Sequence, residues 1–250
     1  MAKFTIYPVR LGHSEISANF VEFRSKAEGK TWFSHGCFAA KNNETGEVTL
    51  LDTGSAHYTH VEKYGTPYTT NVEKGPTLVE ALENLGIKVS DVKRICITHL
   101  HHDHAANLWY FPKTVPIYVQ RAETANAASP YNPQKWDYTV IDNPVCPYWK
   151  EHVNQFVTVD GDFEIEPGLK LLFTPGHTFG SQSIMVDTEE GPYIYVGDQY
   201  YCKKNYTDAV IHTNYASMRD WYESHAKIMA TGAKIICLHE KASFEVKKFG

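Results

Sequence analysis

The six residues from 99 to 104 constrain this chain most strongly, because four of them are histidines and one is an aspartate. The apolar run Ile95 to Thr98 predicts a short strand just before them. Residues two apart in an extended segment point the same way, so His99 and His101 share one side. Asp103 follows with a further histidine as the chain turns into a predicted helix. Imidazole and carboxylate are typical zinc ligands, so this spacing predicts a metal site with two residues for one ion and two for another.

Three further metal-ligand types follow strand-like segments later in the chain. His177 comes after a Thr-Pro-Gly turn, Asp198 after an apolar run, and His239 at the end of Lys234 to Leu238. Taken singly, each is more often a cap or loop residue. Together with the cluster they form one pattern of strand-end ligands. The candidate metal ligands are His99, His101, Asp103, His104, His177, Asp198 and His239.

Composition excludes several classes of function. The chain has 250 residues and a net charge of −5, with no cluster of Lys or Arg, so nucleic acid is not an expected partner. No apolar run reaches the ~18 residues of a membrane span, and the N-terminus does not resemble a signal peptide. Five scattered cysteines without a C-x-x-C motif favour a reducing compartment, the cytoplasm. We expect one domain over residues 1–250; a homo-oligomer is compatible with the sequence.

Hydrophobic periodicity and turn residues predict an α/β layered fold. The first half is β-rich with a helix from Leu78 to Leu85, and the second half mixes strands with a helix from Trp221 to Met229. A helix is predicted from Asp103 to Tyr110, and another around 122–128. Ten strands are predicted, over 4–11, 32–40, 48–52, 95–98, 115–119, 155–159, 169–174, 182–187, 193–196 and 234–238. This pattern predicts two sheets packed face to face with helices outside them.

Five stretches, in order, resemble the metallo-β-lactamase superfamily. They are Leu51-Asp52-Thr53-Gly54, His99 to His104, Gly176-His177, Gly197-Asp198 and His239. The resemblance implies an αββα sandwich with two central mixed sheets. It also implies that His99, His101 and His177 bind one metal, that Asp103, His104 and His239 bind the other, and that Asp198 bridges them. Asp52 is expected to orient a ligating histidine.

Within that superfamily the chain resembles the N-acyl-homoserine lactonases. The likeness lies in His99 to Ala105, Pro116 to Glu123, Leu172 to Ser183 and Asp198 to Tyr201. By this resemblance Tyr201 hydrogen-bonds the substrate carbonyl region and helps the leaving group. Asp103 is expected, beside its ligand role, to receive the proton on ring opening. Both are therefore candidate catalytic residues.

Two divalent ions, zinc by expectation with iron or manganese as alternatives, imply attack of a metal-bridging hydroxide on an electrophilic carbon. No Gly-x-Ser-x-Gly motif or P-loop competes with this chemistry. The predicted function is opening of a small-molecule lactone. The residues that depart from the lactonases are His102 and the aromatic segment 129–150 around Trp136. We expect them to govern substrate choice, the segment as a lid or pocket wall.

Four alternatives remain open at this point. A thioester hydrolase of the glyoxalase II type would use the same metals, but no basic cluster suited to glutathione carboxylates is present in the C-terminal region. A cyclic amide hydrolase would use the same attack. An iron-dependent persulfide dioxygenase would need only one redox metal. A binding protein that keeps the metals for structure alone would show no turnover.

Overall fold

A computed structural model describes residues 3–57, 75–138 and 148–250. Its strands are β1 (Phe4–Ser17), β2 (Lys30–Asn42), β3 (Val48–Leu51), β4 (Val92–Cys96), β5 (Ile117–Gln120), β6 (Phe156–Val159), β7 (Phe163–Glu166), β8 (Leu169–Phe173), β9 (Gln182–Thr188), β10 (Gly191–Tyr195) and β11 (Lys234–Ile236). Its α-helices are α1 (Leu78–Asn84), α2 (Arg121–Ala128), α3 (Lys203–Thr207) and α4 (Met218–Ala230). All ten predicted strands are present; β7 and α3, four and five residues long, are not predicted from the sequence.

The helix predicted over 103–110 is wrong. The segment instead forms turns and a short 3₁₀ helix, Leu108–Tyr110. Its backbone pairs with the turn after β3: Ala105 forms a parallel bridge with Gly54, and Ala106 N–H donates to Gly54 O at 3.3 Å. The Ala106 N–H is therefore not available for the hydrogen bond within the segment that a regular helix needs.

The strands form one continuous hydrogen-bonded sheet, which divides into two halves. The first half runs β1-β2-β3-β4-β5-β6, and the second comprises β11-β10-β9 with β8 and β7. The halves are joined by one residue pair, Phe4 with Thr188. Strands β3 to β6 are parallel, and so are β10 and β11, while β8 and β10 both run antiparallel to β9. The carboxyl ends of β8, β10 and β11 therefore meet at one edge.

The hydrophobic cores divide the molecule into four layers. The core between the two halves draws side chains from both: Phe4, Ile6, Phe38, Leu171, Ile184, Val186 and Tyr195. On the outer face of the first half α1 packs through Leu78 and Leu82. On the outer face of the second half α4 packs through Trp221 and Ile228. This order of helix, sheet, sheet and helix confirms the predicted αββα sandwich.

Strands β1 and β2 extend beyond the core as a hairpin-like arm, here called the β1–β2 arm (residues 12–17 and 30–35). Their register shifts by one between Arg10 and Gly12, so Leu11 is an extra residue, a β-bulge. Beyond the bulge Ser14 pairs with Phe33, and alternate residues of the arm share one side. That side faces the candidate site described below. No helix within the described residues combines the length and apolar character that a membrane crossing needs.

Candidate metal centre

Three imidazoles converge at the carboxyl ends of β4 and β8. His177 Nε2 lies 3.1 Å from His99 Nε2 and 3.1 Å from His101 Nδ1. All three side chains are buried. The two histidines of the cluster that were predicted to share one side therefore do so, and the turn after β8 supplies the third nitrogen of the group.

A second group of donors lies beside the first. It comprises Asp103, His104, Asp198 and His239, and their ligand atoms lie within 4.8 Å of one another. His104 Nε2 is 3.8 Å from Asp103 Oδ1, and His239 Nε2 is 3.9 Å from Asp103 Oδ2. The structure thus brings all seven predicted residues together in two adjoining groups.

Asp198 stands between the groups and turns one oxygen to each. Its Oδ1 lies 3.0 Å from His104 Nε2 and 2.9 Å from His239 Nε2. Its Oδ2 lies 3.4 Å from His177 Nε2 and 3.8 Å from His99 Nε2. A carboxylate in this position can contact two cations at once, one through each oxygen.

Two glycines permit the close approach of the strand ends that carry these residues. Gly197, with φ +52°, lies against Thr98, and an added Cβ would come 2.7 Å from the Thr98 side chain. Gly176, with φ +144°, lies against α4, and an added Cβ would come 2.5 Å from Trp221 Cα. Both the backbone angle and the lack of space require glycine there. These close contacts hold Asp198 and His177 beside the carboxyl end of β4.

The imidazoles are oriented by hydrogen bonds from their outer nitrogens. His177 Nδ1 lies 2.7 Å from Asn214 O, and His239 Nδ1 lies 2.8 Å from Ser34 O. A carbonyl oxygen can only accept, so each Nδ1 carries the proton and each Nε2 presents a lone pair to the centre. In this tautomer the nitrogen that faces the centre is the one free to bind a metal.

Asp52 orients His104 in the same way, as predicted from the sequence. Its Oδ2 accepts from His104 Nδ1 at 2.7 Å and from Tyr195 OH at 2.6 Å. Its Oδ1 accepts from the Thr98 backbone N–H at 2.6 Å. Asp52 has φ +63°, an uncommon backbone conformation for aspartate that these buried hydrogen bonds hold in place.

The electrostatics of the two groups fit a divalent cation. Burial lowers the pKa of His99, His101 and His177, so their imidazoles are neutral and offer lone pairs. Burial acts in the same direction on His104, but the carboxylates led by Asp198 outweigh it and raise its pKa well above the ordinary value. This excess of negative charge is what a dication neutralises.

A buried nitrogen of His104 also favours binding of a cation. His104 Nε2 makes no hydrogen bond with any described residue, although Asp198 Oδ1 is only 3.0 Å away. A buried nitrogen left in this way is costly unless something else contacts it. Imidazole and carboxylate are also the ligand types that zinc, iron and manganese accept in hydrolytic sites. The residues present therefore fit a divalent metal site.

Tyr201 lies beside both groups and lines the adjoining cavity. Its ring stacks on His212 with centroids 4.1 Å apart and meets the His239 ring edge-on at 5.2 Å. Burial, reinforced by Asp198, raises the pKa of Tyr201 well above its ordinary value, so the phenol stays protonated and can donate. His212 is a residue that the sequence reading missed. Its Nε2 lies 2.7 Å from Asp198 O, and it supports both Tyr201 and Asp198.

Glu123 is a second residue whose importance the sequence reading missed. It is fully buried and accepts hydrogen bonds from Leu100 N–H at 2.8 Å, Tyr138 OH at 2.8 Å and Thr178 Oγ1 at 2.6 Å. It therefore ties the turns that carry His99, His101 and His177 to one carboxylate. A glutamate in the first turn of a helix usually faces solvent, so its sequence position alone gave no signal.

A cavity of about 320 Å³ opens onto the two groups. Its floor includes His101, Asp103 and Asp198, and the β1–β2 arm forms one wall. The remaining lining residues include Phe20, His102, Asp137, Tyr201 and Asn214. His102 thus lies in the cavity lining, and its influence on substrate choice stays a prediction.

The segment 129–150 is described only in part, because residues 139–147 lie outside the described ranges. Asp137 lines the cavity, whereas Trp136 is 52% exposed and is not a lining residue. That the segment forms a lid or pocket wall stays a prediction, because part of it lies outside the described ranges. The β1–β2 arm, which was not predicted to lie at the site, forms a further wall of the cavity.

Comparison with known proteins agrees with this arrangement. A family model described as the metallo-beta-lactamase superfamily matches residues 37–222. An N-acyl homoserine lactonase of Bacillus sp is 33% identical over 165 residues, which are 66% of this chain and 60% of that protein. A second such lactonase, from Agrobacterium fabrum, is 28% identical over 52% of this chain and 48% of its own length. The chain thus spans less than two thirds of these curated relatives.

Solved structures show the same fold. A quorum-quenching N-acyl homoserine lactone lactonase superposes with a TM-score of 0.77 at 23% identity, covering 97% of this chain and 94% of its own. AidC, a dizinc quorum-quenching lactonase, superposes with a TM-score of 0.69 at 14% identity over 96% and 91%. At these identities the likeness establishes the architecture. Since the family model covers well over half of the sequence, the chain belongs to the metallo-beta-lactamase superfamily.

Proposed function

We propose that this protein is a metal-dependent hydrolase that opens a lactone ring. The observation that carries the proposal is the position of Asp198, with Oδ1 against His104 and His239 and Oδ2 against His99 and His177. A bridging carboxylate between two groups of imidazoles is an arrangement suited to two ions close together. Curated relatives named N-acyl homoserine lactonases support the reaction class.

The two groups divide the donors between two ions. His99, His101 and His177 would hold the first, Asp103, His104 and His239 would hold the second, and Asp198 would contact both. Two divalent ions held in this way would activate water at neutral pH and polarise the scissile carbonyl. The nitrogen-rich donor set favours zinc, with iron and manganese as the next candidates.

The remaining chemistry is assigned to side chains of this chain. Tyr201 is a buried, protonated phenol at the cavity, and it donates a hydrogen bond to the carbonyl region where negative charge develops. Asp103 also lines the cavity, and it receives the proton that the attacking water loses and passes it to the leaving oxygen when the ring opens. Burial of the centre strengthens both interactions, because little water competes for them.

The lining of the cavity favours a lactone over a glutathione thioester. Among its described lining residues there is no Lys or Arg, while Glu15 and Asp137 are acidic and Phe20 and Phe33 are apolar. Such walls suit a neutral molecule with an apolar substituent. A glutathione conjugate carries carboxylates that would need cationic partners.

The proposal is tested with a substrate panel on one enzyme preparation of measured metal content. Lactones, thioesters and cyclic amides are assayed with chelator-treated enzyme and again after reloading with Zn²⁺. We expect lactone turnover to vanish on metal removal and to return on reloading. Full lactone hydrolysis by metal-free enzyme, or a preference for thioesters, contradicts the proposal. One iron per chain with persulfide oxidation would assign the protein to a different reaction.

A further inference from the structure

The wall that the β1–β2 arm contributes to the cavity carries one half-buried hydroxyl among apolar side chains. Ile16, Phe20 and Phe33 line this wall together with Ser14. Glu15 and Ser17 also border the cavity, but both are exposed at its rim. The β-bulge at Leu11 sets the alternation that turns Ser14 to this side.

Ser14 is held by an imidazole that is hydrogen-bonded at both nitrogens. Its Oγ lies 2.9 Å from His35 Nε2, and His35 Nδ1 lies 3.0 Å from Ser55 Oγ. A neutral imidazole donates at one nitrogen and accepts at the other, and each hydroxyl can play either part. The three side chains therefore form a continuous Ser14–His35–Ser55 relay that fixes the direction of the Ser14 hydroxyl.

The relay stands beside the metal centre without joining it. The His35 ring centroid lies 6.4 Å from that of His239, and His35 lines the cavity together with Asp103. A serine hydroxyl has one donor and two acceptor sites, and His35 engages only one of them. Ser14 thus keeps hydrogen-bonding capacity toward a molecule in the cavity, next to the position of the reacting bond.

We propose that Ser14, oriented by His35 and Ser55, is a specificity-determining residue that hydrogen-bonds a carbonyl or amide group adjacent to the lactone ring. The apolar remainder of the substrate then packs on Phe20 and Phe33. This inference rests on the proposed lactone hydrolysis and deepens it, because it states which lactones the protein selects. A ring with a polar substituent is preferred over one with a purely alkyl substituent.

The test compares two substrates that differ only in the amide. One is N-hexanoyl-homoserine lactone, and the other is α-heptyl-γ-butyrolactone, which has the same chain length. We expect Ser14→Ala to lower kcat/KM for the amide-bearing lactone about 3- to 10-fold, mainly through KM, and to leave the alkyl lactone unchanged. The matched control is Ser25→Ala, in the segment between β1 and β2. Its hydroxyl accepts from Ala27 N–H at 3.0 Å, and the residue does not line the cavity.

Variants at His35 test the relay itself. His35→Leu removes both hydrogen bonds and is expected to reproduce the selective loss seen with Ser14→Ala. His35→Gln keeps a donor and an acceptor and is expected to retain more of the preference for the amide. Metal content and the thermal melting temperature of each variant show whether the centre and the fold are intact.

The outcomes separate this inference from the proposed function. If the wild-type, Zn²⁺-loaded enzyme opens neither lactone, the proposed function is wrong and the inference falls with it. If the wild type opens both, and Ser14→Ala affects both equally or affects neither, lactone hydrolysis stands and the role of Ser14 is overturned.

Discussion

At the scale of single residues, the metal centre depends on the group to which the outer nitrogen of each imidazole donates its hydrogen bond. His177 and His239 donate to backbone carbonyls, whereas His104 donates to the carboxylate of Asp52. A carboxylate partner makes the opposite nitrogen a stronger ligand than a carbonyl partner does. Asp52 therefore tunes the second group of donors more than the first.

A substitution at Asp52 tests this difference. Asp52→Asn keeps the shape of the side chain and removes its charge, so we expect the affinity for the second metal to fall about 10- to 100-fold. The first metal should bind almost as before. Titration of metal-free enzyme with Zn²⁺ against a chromophoric chelator measures both affinities. Asp187→Asn on strand β9 is the control, and equal loss at both sites would contradict the assignment.

Tyr201 offers a second test at this scale, because its neighbour in sequence provides a matched control. Tyr201→Phe removes a donor that faces the cavity, and we expect kcat to fall on the order of 100-fold with metal content unchanged. Tyr200 is also buried, but its hydroxyl lies 2.8 Å from His225 Nδ1, away from the cavity lining. Tyr200→Phe should leave kcat within about twofold. Comparable losses in the two variants would show that Tyr201 has only a packing role.

The residues that could be predicted from sequence share one property: each follows an apolar run that becomes a strand. This holds for His99, His177, Asp198 and His239. Glu123, His212 and His35 could not be predicted, because each acts through contacts with segments distant in the chain. Periodicity reports which side of an element is apolar, and it does not report which distant residue lies opposite.

At the scale of secondary-structure elements, the site depends on the turn between β8 and β9, which packs against α4. Ala216 N–H donates to Gly176 O at 2.9 Å, and Ser224 Oγ donates to Pro175 O at 2.7 Å. The helix thereby fixes the turn that carries His177. The same reasoning explains why the predicted helix over 103–110 fails: the Ala106 N–H donates to Gly54 O in the turn after β3 and not to the preceding turn of its own segment.

Two glycine substitutions, one in this turn and one at the start of β10, separate close packing from backbone strain. Gly176→Ala places a Cβ 2.5 Å from Trp221 Cα, whereas Gly191→Ala, also at positive φ, meets no atom within 4 Å. We expect Gly176→Ala to lower the free energy of unfolding by about 1–3 kcal/mol more than Gly191→Ala. It should also reduce metal content, because His177 moves with the turn. Urea denaturation and metal analysis measure the two effects, and equal behaviour of the two variants would contradict the packing argument.

At the scale of the whole molecule, the two halves of the sheet bring ligands from distant parts of the chain to one edge. The parallel order of β10 and β11, with β8 in the same direction, places three strand ends beside the end of β4. The alternation of strands and helices allowed the layered class to be predicted. The sequence pattern does not predict that β1 and β2 continue past the core. The wall that the β1–β2 arm contributes to the cavity is therefore visible only in the structure.

We propose above all that Asp198 joins two metal ions in one hydrolytic centre. The most direct measurement is metal content per chain together with lactone turnover, made on the same samples of wild type and Asp198→Ala. We expect two Zn²⁺ per chain in the wild type, and loss of metal and of turnover together in the variant. Full turnover in Asp198→Ala, or a wild type that is active with a single ion per chain, would contradict the account.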